Sequence, residues 1–243
     1  YRHFGALMAY MDRVATLTSA GPHEAPVAVL YHGEAEWCDP EAMPFEQVVR
    51  PLYDGQIVCR VLPADVFGEP ARYKTELGNP LVVNGRAYRA FVVPGARCLP
   101  AAAAQGLAVL AAAGLPVFFA GQRPEALCEG GPLPAALTAC PVVDPAALPA
   151  ALRAAGVKAP VLAPKNDRLR LLTVDAETPV VLAVNEGTAP CTGTLTLPGL
   201  AGPCYWYDPW ANRCEPADAA DTPGGLQLDV RILPLQPRVL VLG

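Results

Sequence analysis

The sequence predicts an α/β doubly wound sheet followed by a small antiparallel β-sandwich, in two domains spanning residues 1–165 and 166–243. Three observations carry this. Short apolar runs alternate with helical periods as far as Leu162, which implies a parallel sheet built from β-α units. Past Ala163–Asp167 the helical period vanishes, and short apolar runs separated by Pro, Gly and Asn/Asp turns replace it, as in a sandwich. A hydrophobic content of 52 % beside a charged content of 17 % provides enough apolar surface for both cores and excludes a disordered chain.

Taken in order, Phe4, Leu7, Met8, Met11, Val14 and Leu17 recur at helical spacing, and Gly21-Pro22 ends the helix. It is expected to pack on a sheet or on an upstream domain. The stretch Ala25–Trp37 organises the rest of the chain. Val27–Tyr31 is a short apolar run bounded by Pro and Gly, the pattern of a buried parallel strand. Its carboxyl end breaks into His32, Gly33, Glu34, Glu36 and Trp37, and Glu34–Met43 is expected as a loop. Pro44–Val49 begins a helix with Pro in its first turn. Ile57–Leu62 is the next strand. Leu81–Val83 and Arg86–Val93 are two β runs joined by Asn84-Gly85, a dipeptide that tolerates the positive φ of a hairpin turn. A helix over Pro100–Ala113, a strand over Pro116–Ala120, a helix over Ala146–Ala155 and a strand over Val157–Leu162 complete a sheet of flavodoxin-like type. The sandwich strands are Leu169–Val174, Val180–Val184, Thr192–Leu197, Cys204–Tyr207, Leu226–Ile232 and Val239–Leu242.

Charge and composition exclude several functions. A net charge of −5 without a basic run gives no electrostatic footprint for nucleic acid. The longest apolar stretches, such as Leu107–Ala120, contain Gly or Pro and fall short of a membrane span. The chain starts at Tyr1 and runs straight into a helical pattern, so it reads as part of something longer. Eight cysteines show no CxxC pair, and reduced structural thiols in a cytoplasmic bacterial protein are expected; Cys204–Cys214, flanking one loop, is the pair to check. Only His3, His23 and His32 are available for acid–base chemistry.

His32, Glu34, Glu36 and Trp37 are the leading substrate-binding candidates. Open α/β sheets bind ligands beyond the carboxyl ends of their strands, and acidic groups beside an aromatic ring can hydrogen-bond and stack on a sugar. The same residues could equally cap the sheet against a neighbouring domain. One His and two Glu within five residues lack a further ligand, so no metal is expected, and no cofactor motif is present. Tyr205, Trp206 and Trp210, in the aromatic cluster Tyr205–Trp210, form a candidate sugar platform, although a strand with inward Tyr and outward Trp explains the cluster too. Glu186, following Asn185 at a strand end, has the look of a glycosidase acid/base residue, but the Gly187-Thr188 that comes next fits a turn, and glycosidic cleavage needs a second carboxylate about 5–10 Å away.

These residues carry two resemblances. The segment Val92–Ala101, V-V-P-G-A-R-C-L-P-A, resembles the elbow carrying the nucleophilic cysteine of class I glutamine amidotransferases. Cys98 lacks the family's flanking glycines, and no histidine lies after His32 to act as its base. The wider arrangement resembles the carboxyl-terminal part of family 106-type α-L-rhamnosidases and, more loosely, of family 42 β-galactosidases. The residues carrying it are Tyr10–Val14, Val27–Tyr31, Glu34–Trp37, Tyr88–Pro94, the strand end Val184–Glu186, and Leu228 to Leu242. In such enzymes an amidotransferase-like domain and a small sandwich come after a catalytic (β/α)₈ barrel, whose strand-end loops hold the catalytic carboxylates. The resemblance therefore implies a non-catalytic portion of a glycosidase. Its partner would be the upstream barrel of the same polypeptide, with carbohydrate or a second copy as further partners and no nucleic acid or membrane. A carbohydrate-binding module, or a stand-alone enzyme using Cys98, are the alternatives.

Overall fold

The computed structural model describes residues 2–243; Tyr1 and the side chain of Cys38 lie outside the described residues. Packing divides the chain into two units, one of Ala25–Tyr53 and Cys59–Val157, the other of Tyr1–Glu24, Asp54–Val58 and Lys158–Gly243.

The first unit is built on five parallel strands: β1 (Val27–Tyr31), β2 (Cys59–Pro63), β3 (Ala90–Pro94), β4 (Val117–Ala120) and β5 (Val142–Val143). Their spatial order is 2-1-3-4-5. Successive side chains of a strand face opposite ways, so a strand covered on both sides must be apolar throughout. Val27–Leu30 and Ala90–Val93 meet that condition, every residue being fully buried. On one face Ala28, Leu30, Leu62, Phe91, Val93 and Phe119 share a core with Leu107 and Leu110 of the helix Ala101–Ala112 and with Val66 and Phe67 of the short helix Asp65–Gly68.

Two local expectations change here. Arg86–Val93 is not one strand: Arg86–Tyr88 pairs with Leu81–Val83 across Asn84 and Gly85, both at positive φ, while Ala90–Pro94 enters the parallel sheet. Arg89 separates the two, its backbone N–H bonding to Pro26 O at 2.7 Å. The segment after β1 is not a loop throughout, since Gly33–Cys38 forms a helix whose first turn is started by the Ala35 and Glu36 N–H groups on His32 O. Glu34 and Glu36 in that turn favour it, because acidic groups complement the positive end of the peptide dipoles.

The second unit holds two antiparallel sheets. Its strands are β6 (Val161–Ala163), β7 (Leu169–Val174), β8 (Val180–Asn185), β9 (Cys191–Leu197), β10 (Cys204–Asp208), β11 (Arg213–Pro216), β12 (Ala219–Thr222), β13 (Gly225–Ile232) and β14 (Pro237–Leu242). One sheet has the order β6-β9-β13-β12 and the other β7-β8-β14-β10-β11. Leu162, Leu195 and Leu228 of the first share a core with Leu171, Val181 and Leu240 of the second, which makes the pair a sandwich. β11 and β12 are absent from the sequence expectation because Arg213–Pro216 has no buried residue to set a period.

The packing departs from the expected 165/166 boundary at Asp54–Val58, in the segment from Lys158 to Lys165 and in the opening helix. Val161–Ala163 pairs antiparallel with β9 instead of extending the parallel sheet. Only Leu162 of its three residues is buried, so it has the one-sided pattern of an outer sandwich strand. The opening helix, Phe4–Thr18, also belongs to the sandwich unit: Leu17 packs with Val174, Val180 and Val239 on the outer face of the second sheet. Beyond the helix, Asp175 N–H bonds to Pro22 O at 2.8 Å and Glu24 N–H to Thr173 O at 2.9 Å. Gly21 permits this approach, since a Cβ there would lie 2.0 Å from Asp175 O. Among the described residues no helix is long and apolar enough to cross a membrane.

The cysteines sort by burial. Cys59, Cys140, Cys191 and Cys204 are buried thiols, Cys98 is half-buried, and Cys128 and Cys214 are exposed. Cys214 pairs across the sheet with Tyr207, three residues along β10 from Cys204, so the flanking pair is not bonded. Burial pushes the Cys59 thiol up to about 12, which removes its thiolate at neutral pH.

Candidate functional site

The carboxyl edge of β1 holds several of the first unit's buried polar groups; Arg123 Nε is another, elsewhere in the unit. The geometry of the edge starts from a fully apolar strand that delivers His32 directly into the interior, where the residue is 2 % exposed. Neither ring nitrogen has a hydrogen-bond partner. One carboxylate oxygen of Glu36 and one of Asp39 are likewise buried without a partner. The segment is held down by a small cluster of Ala35, Ala42 and Ala96, and by Met43 N–H bonding to Gly95 O at 2.7 Å just beyond β3.

The four predicted residues therefore separate. His32 and the Glu36 oxygen point into protein, whereas Glu34 is exposed and Trp37 is 81 % exposed. Asp39 was missed by sequence reasoning, because one acidic residue before a Pro carries no pattern of its own. Buried donors and acceptors left without partners cost roughly 1–3 kcal/mol each, and native proteins carry few of them. Three of the residues that carry such groups, His32, Glu36 and Asp39, fall in the segment after β1, and Arg123 carries another. Among the described residues no group of three or more His, Cys, Asp or Glu could hold a metal ion.

Desolvation holds the His32 imidazole below its ordinary pKa, opposed by the negative charge of Glu34. The unfolded chain then binds a proton near pH 6.5 that the folded chain refuses. Stability is expected to be fully present above about pH 6.5 and to fall as pH drops towards the depressed folded value. Urea midpoints between about pH 7.5 and 5 should show this loss in the wild type and a flatter profile in His32→Leu; identical profiles would remove His32 as the cause.

The aromatic cluster is arranged differently from a flat platform. Along β10, Tyr205 and Tyr207 face one way and Trp206 the other. Trp206 packs against the sandwich core and carries the Arg238 guanidinium 4.5 Å from its ring centroid, while Tyr207 packs on the outer face of the sheet. The expected inward Tyr and outward Trp are thus reversed. Beyond the strand, Trp210 stacks on Tyr10 with centroids 4.1 Å apart and rings 11° from parallel, and Arg13 Nη1 donates to Pro209 O at 2.9 Å. Trp206, Tyr207, Trp210, Arg213 and Arg238 border a cleft of about 220 Å³; Tyr205 is exposed but does not line it.

Asn185 and Glu186 have distinct roles. The Asn185 side chain is fully buried. Its Nδ2 donates to Ala189 O at 2.8 Å and Ile232 O at 3.0 Å, and its Oδ1 accepts from Gly187 N–H at 2.8 Å. Glu186 pairs with Arg170 at 2.8 Å, and Arg170 also meets Asp54 at 3.1 Å. A cleft of about 800 Å³ opens beside this turn, bordered by Lys165, Asn166, Arg168, Glu186 and Thr188. Cys98 sits in a two-residue strand with Leu99, paired in parallel with Ala126-Leu127. Among the described residues no side chain hydrogen-bonds its thiol as a base would.

No protein-family model matches the sequence, and no curated protein matches it. Solved structures do share the fold. A rhamnosidase from Novosphingobium sp. PP1Y matches over 98 % of this chain and 24 % of its own, with TM-score 0.72 and 16 % identity. Alpha-L-fucosidase isoenzyme 2 from Paenibacillus thiaminolyticus matches over 96 % of this chain and 51 % of its own, with TM-score 0.62 and 12 % identity. A beta-galactosidase from Bacillus circulans sp. alkalophilus matches over 98 % of this chain and 44 % of its own, with TM-score 0.58 and 11 % identity. The α/β unit and the sandwich together form a fold found in glycoside hydrolases. This chain spans only a quarter to a half of the length of those proteins.

Proposed function

We propose that this chain is the non-catalytic C-terminal portion of a carbohydrate-active glycoside hydrolase, supporting a catalytic barrel, an oligomer interface or the substrate cleft. The observation that carries this reading is the partial match to solved structures: nearly all of this chain corresponds to a minor or half share of three sugar-cleaving enzymes. Further support comes from the opening helix. Phe4, Leu7, Met8 and Met11 are 58, 43, 45 and 50 % exposed at helical spacing, an apolar stripe suited to a preceding barrel of the same polypeptide. The 2-1-3-4-5 order of parallel strands supports the finer assignment of the first unit as flavodoxin-like and amidotransferase-like. The edge around His32, Glu36 and Asp39, with Glu34 and Trp37 outside it, is the part we assign to the substrate cleft.

The isolated chain is expected to leave a panel of aryl α-L-rhamnosides, α-L-fucosides and β-galactosides uncleaved. Robust turnover of any of them, abolished by Glu186→Gln, would overturn the reading. A carbohydrate-binding module is the second reading, favoured by the cleft beside Trp206, Tyr207 and Trp210. Calorimetry with mono- and oligosaccharides decides it: saturable heat lost in Trp210→Ala supports a module, and no heat with any sugar removes it.

A further inference from the structure

We propose that Arg60, Arg86 and Tyr88 form an oxyanion pocket that takes the sulfate, phosphate or carboxylate group of a small acidic ligand. β2 is an outer strand of the parallel sheet, so one of its edges has no strand neighbour. Beside it lies a cavity of about 450 Å³, bordered by Arg60, Val61, Leu62 and the hairpin residues Val83, Asn84, Arg86 and Tyr88.

Strand geometry brings the two guanidinium groups to the same place. Residues two apart in a strand share a face. Arg60 shares its face with Leu62, and Leu62 belongs to the same core as Tyr88. Arg86 is likewise two residues before Tyr88 on the second hairpin strand, exposed where Tyr88 is only 2 % exposed. Tyr88 thus floors the cavity, with one arginine above it from each element. Burial raises the Tyr88 pKa, and the charges of Arg60 and Arg86 both act to lower it.

Neither arginine makes an ion pair among the described residues, and no carboxylate borders the cavity. In a chain of net charge −5, two adjacent arginines without an acidic neighbour are an unusual concentration of positive potential. Guanidinium groups bind carboxylate, sulfate and phosphate oxygens through paired N–H donors. The Asn84 side chain offers a neutral donor at the rim, and Val61 and Val83 give apolar walls for the body of a ligand.

The test is calorimetry on the whole 243-residue chain at low ionic strength, titrating sodium sulfate, sodium phosphate and sodium glucuronate against a chloride background. At least one should bind saturably at one site, and Arg60→Gln and Arg86→Gln should each weaken it by on the order of tenfold or more. Thermal unfolding of both variants, run in parallel, should match the wild type, because these side chains sit at the rim of the core. Glucuronate binding more tightly than the inorganic ions points to an acidic sugar, and the reverse order to a phosphate or sulfate group. No saturable heat with any of the three, or binding that survives in both folded variants, overturns the proposal.

Discussion

Replacing Asn185 with alanine is expected to destabilise the sandwich unit by about 3 kcal/mol, the larger of the two stability effects expected here. Asn185 is fully buried and spends its side chain on three backbone partners. Truncation leaves the Ile232 carbonyl without that donor in the interior and releases the Gly187 N–H and Ala189 carbonyl of the turn. Each buried group left unsatisfied costs about 1–3 kcal/mol, whereas a hydrogen bond exchanged with water is worth about 1. The strand end would loosen as well, since Leu235 N–H bonds to the Asn185 carbonyl at 2.8 Å. Asn185→Asp should be worse at neutral pH. It keeps the acceptor for Gly187 N–H but turns a carboxylate towards two carbonyl oxygens in a site without solvent. Urea denaturation measures both. A loss below about 1 kcal/mol for Asn185→Ala would mean that the turn does not depend on these bonds. Glu186→Gln is the internal contrast: its carboxylate is half exposed, so its ion pair with Arg170 should contribute about 1 kcal/mol or less.

That contrast also marks what the residues alone could reveal. Asn185-Glu186 invites a catalytic reading because the dipeptide sits at a strand end, and strand ends are where barrels keep their carboxylates. What separates a turn from the setting of an acid/base glutamate is the set of carbonyls facing the asparagine. Ile232 lies 47 residues away in sequence, and no local period reports it. Val142–Val143, the short fifth strand of the parallel sheet, was not legible, but the inner parallel strands were, for the opposite reason. Val27–Leu30 and Ala90–Val93 are apolar at every position, and only burial on both faces accounts for such a run. The sandwich strands with one buried face were legible by alternation, as in Leu226–Ile232, while Arg213–Pro216 was not, having no buried face at all. The assignment of Phe4–Thr18 to the sandwich unit depends on Leu17 meeting Val174 and Val239, a partnership distant in sequence. At the candidate site, sequence position pointed to His32 and Glu36. It could not show that Trp37 turns outward, because a six-residue helix replaces the expected loop and redirects the side chains within it.

Gly106→Ala is the second large effect, and its sign is set by two opposing magnitudes. Gly106 lies inside the helix Ala101–Ala112, where exchanging glycine for alanine ordinarily stabilises by roughly 0.5–1 kcal/mol through backbone entropy. Here the new Cβ would stand 2.1 Å from Cδ1 and 2.9 Å from Cε1 of Phe67. The Phe67 ring is held from behind by Phe91, with centroids 5.6 Å apart, and Phe91 is itself fully buried in the parallel sheet. Retreat of the ring would therefore disturb the core shared by sheet and helix, and overpacking of this kind costs about 1–3 kcal/mol. Overlap with a ring near its attachment point belongs at the upper end of that range, so a net loss of about 2 kcal/mol is expected in spite of the better helix propensity. A double-mutant cycle identifies the cause. Phe67→Leu alone should destabilise by vacating space, but in the Phe67→Leu background Gly106→Ala should cost far less or turn favourable. Equal costs of Gly106→Ala in both backgrounds would show that the ring is not what the glycine accommodates.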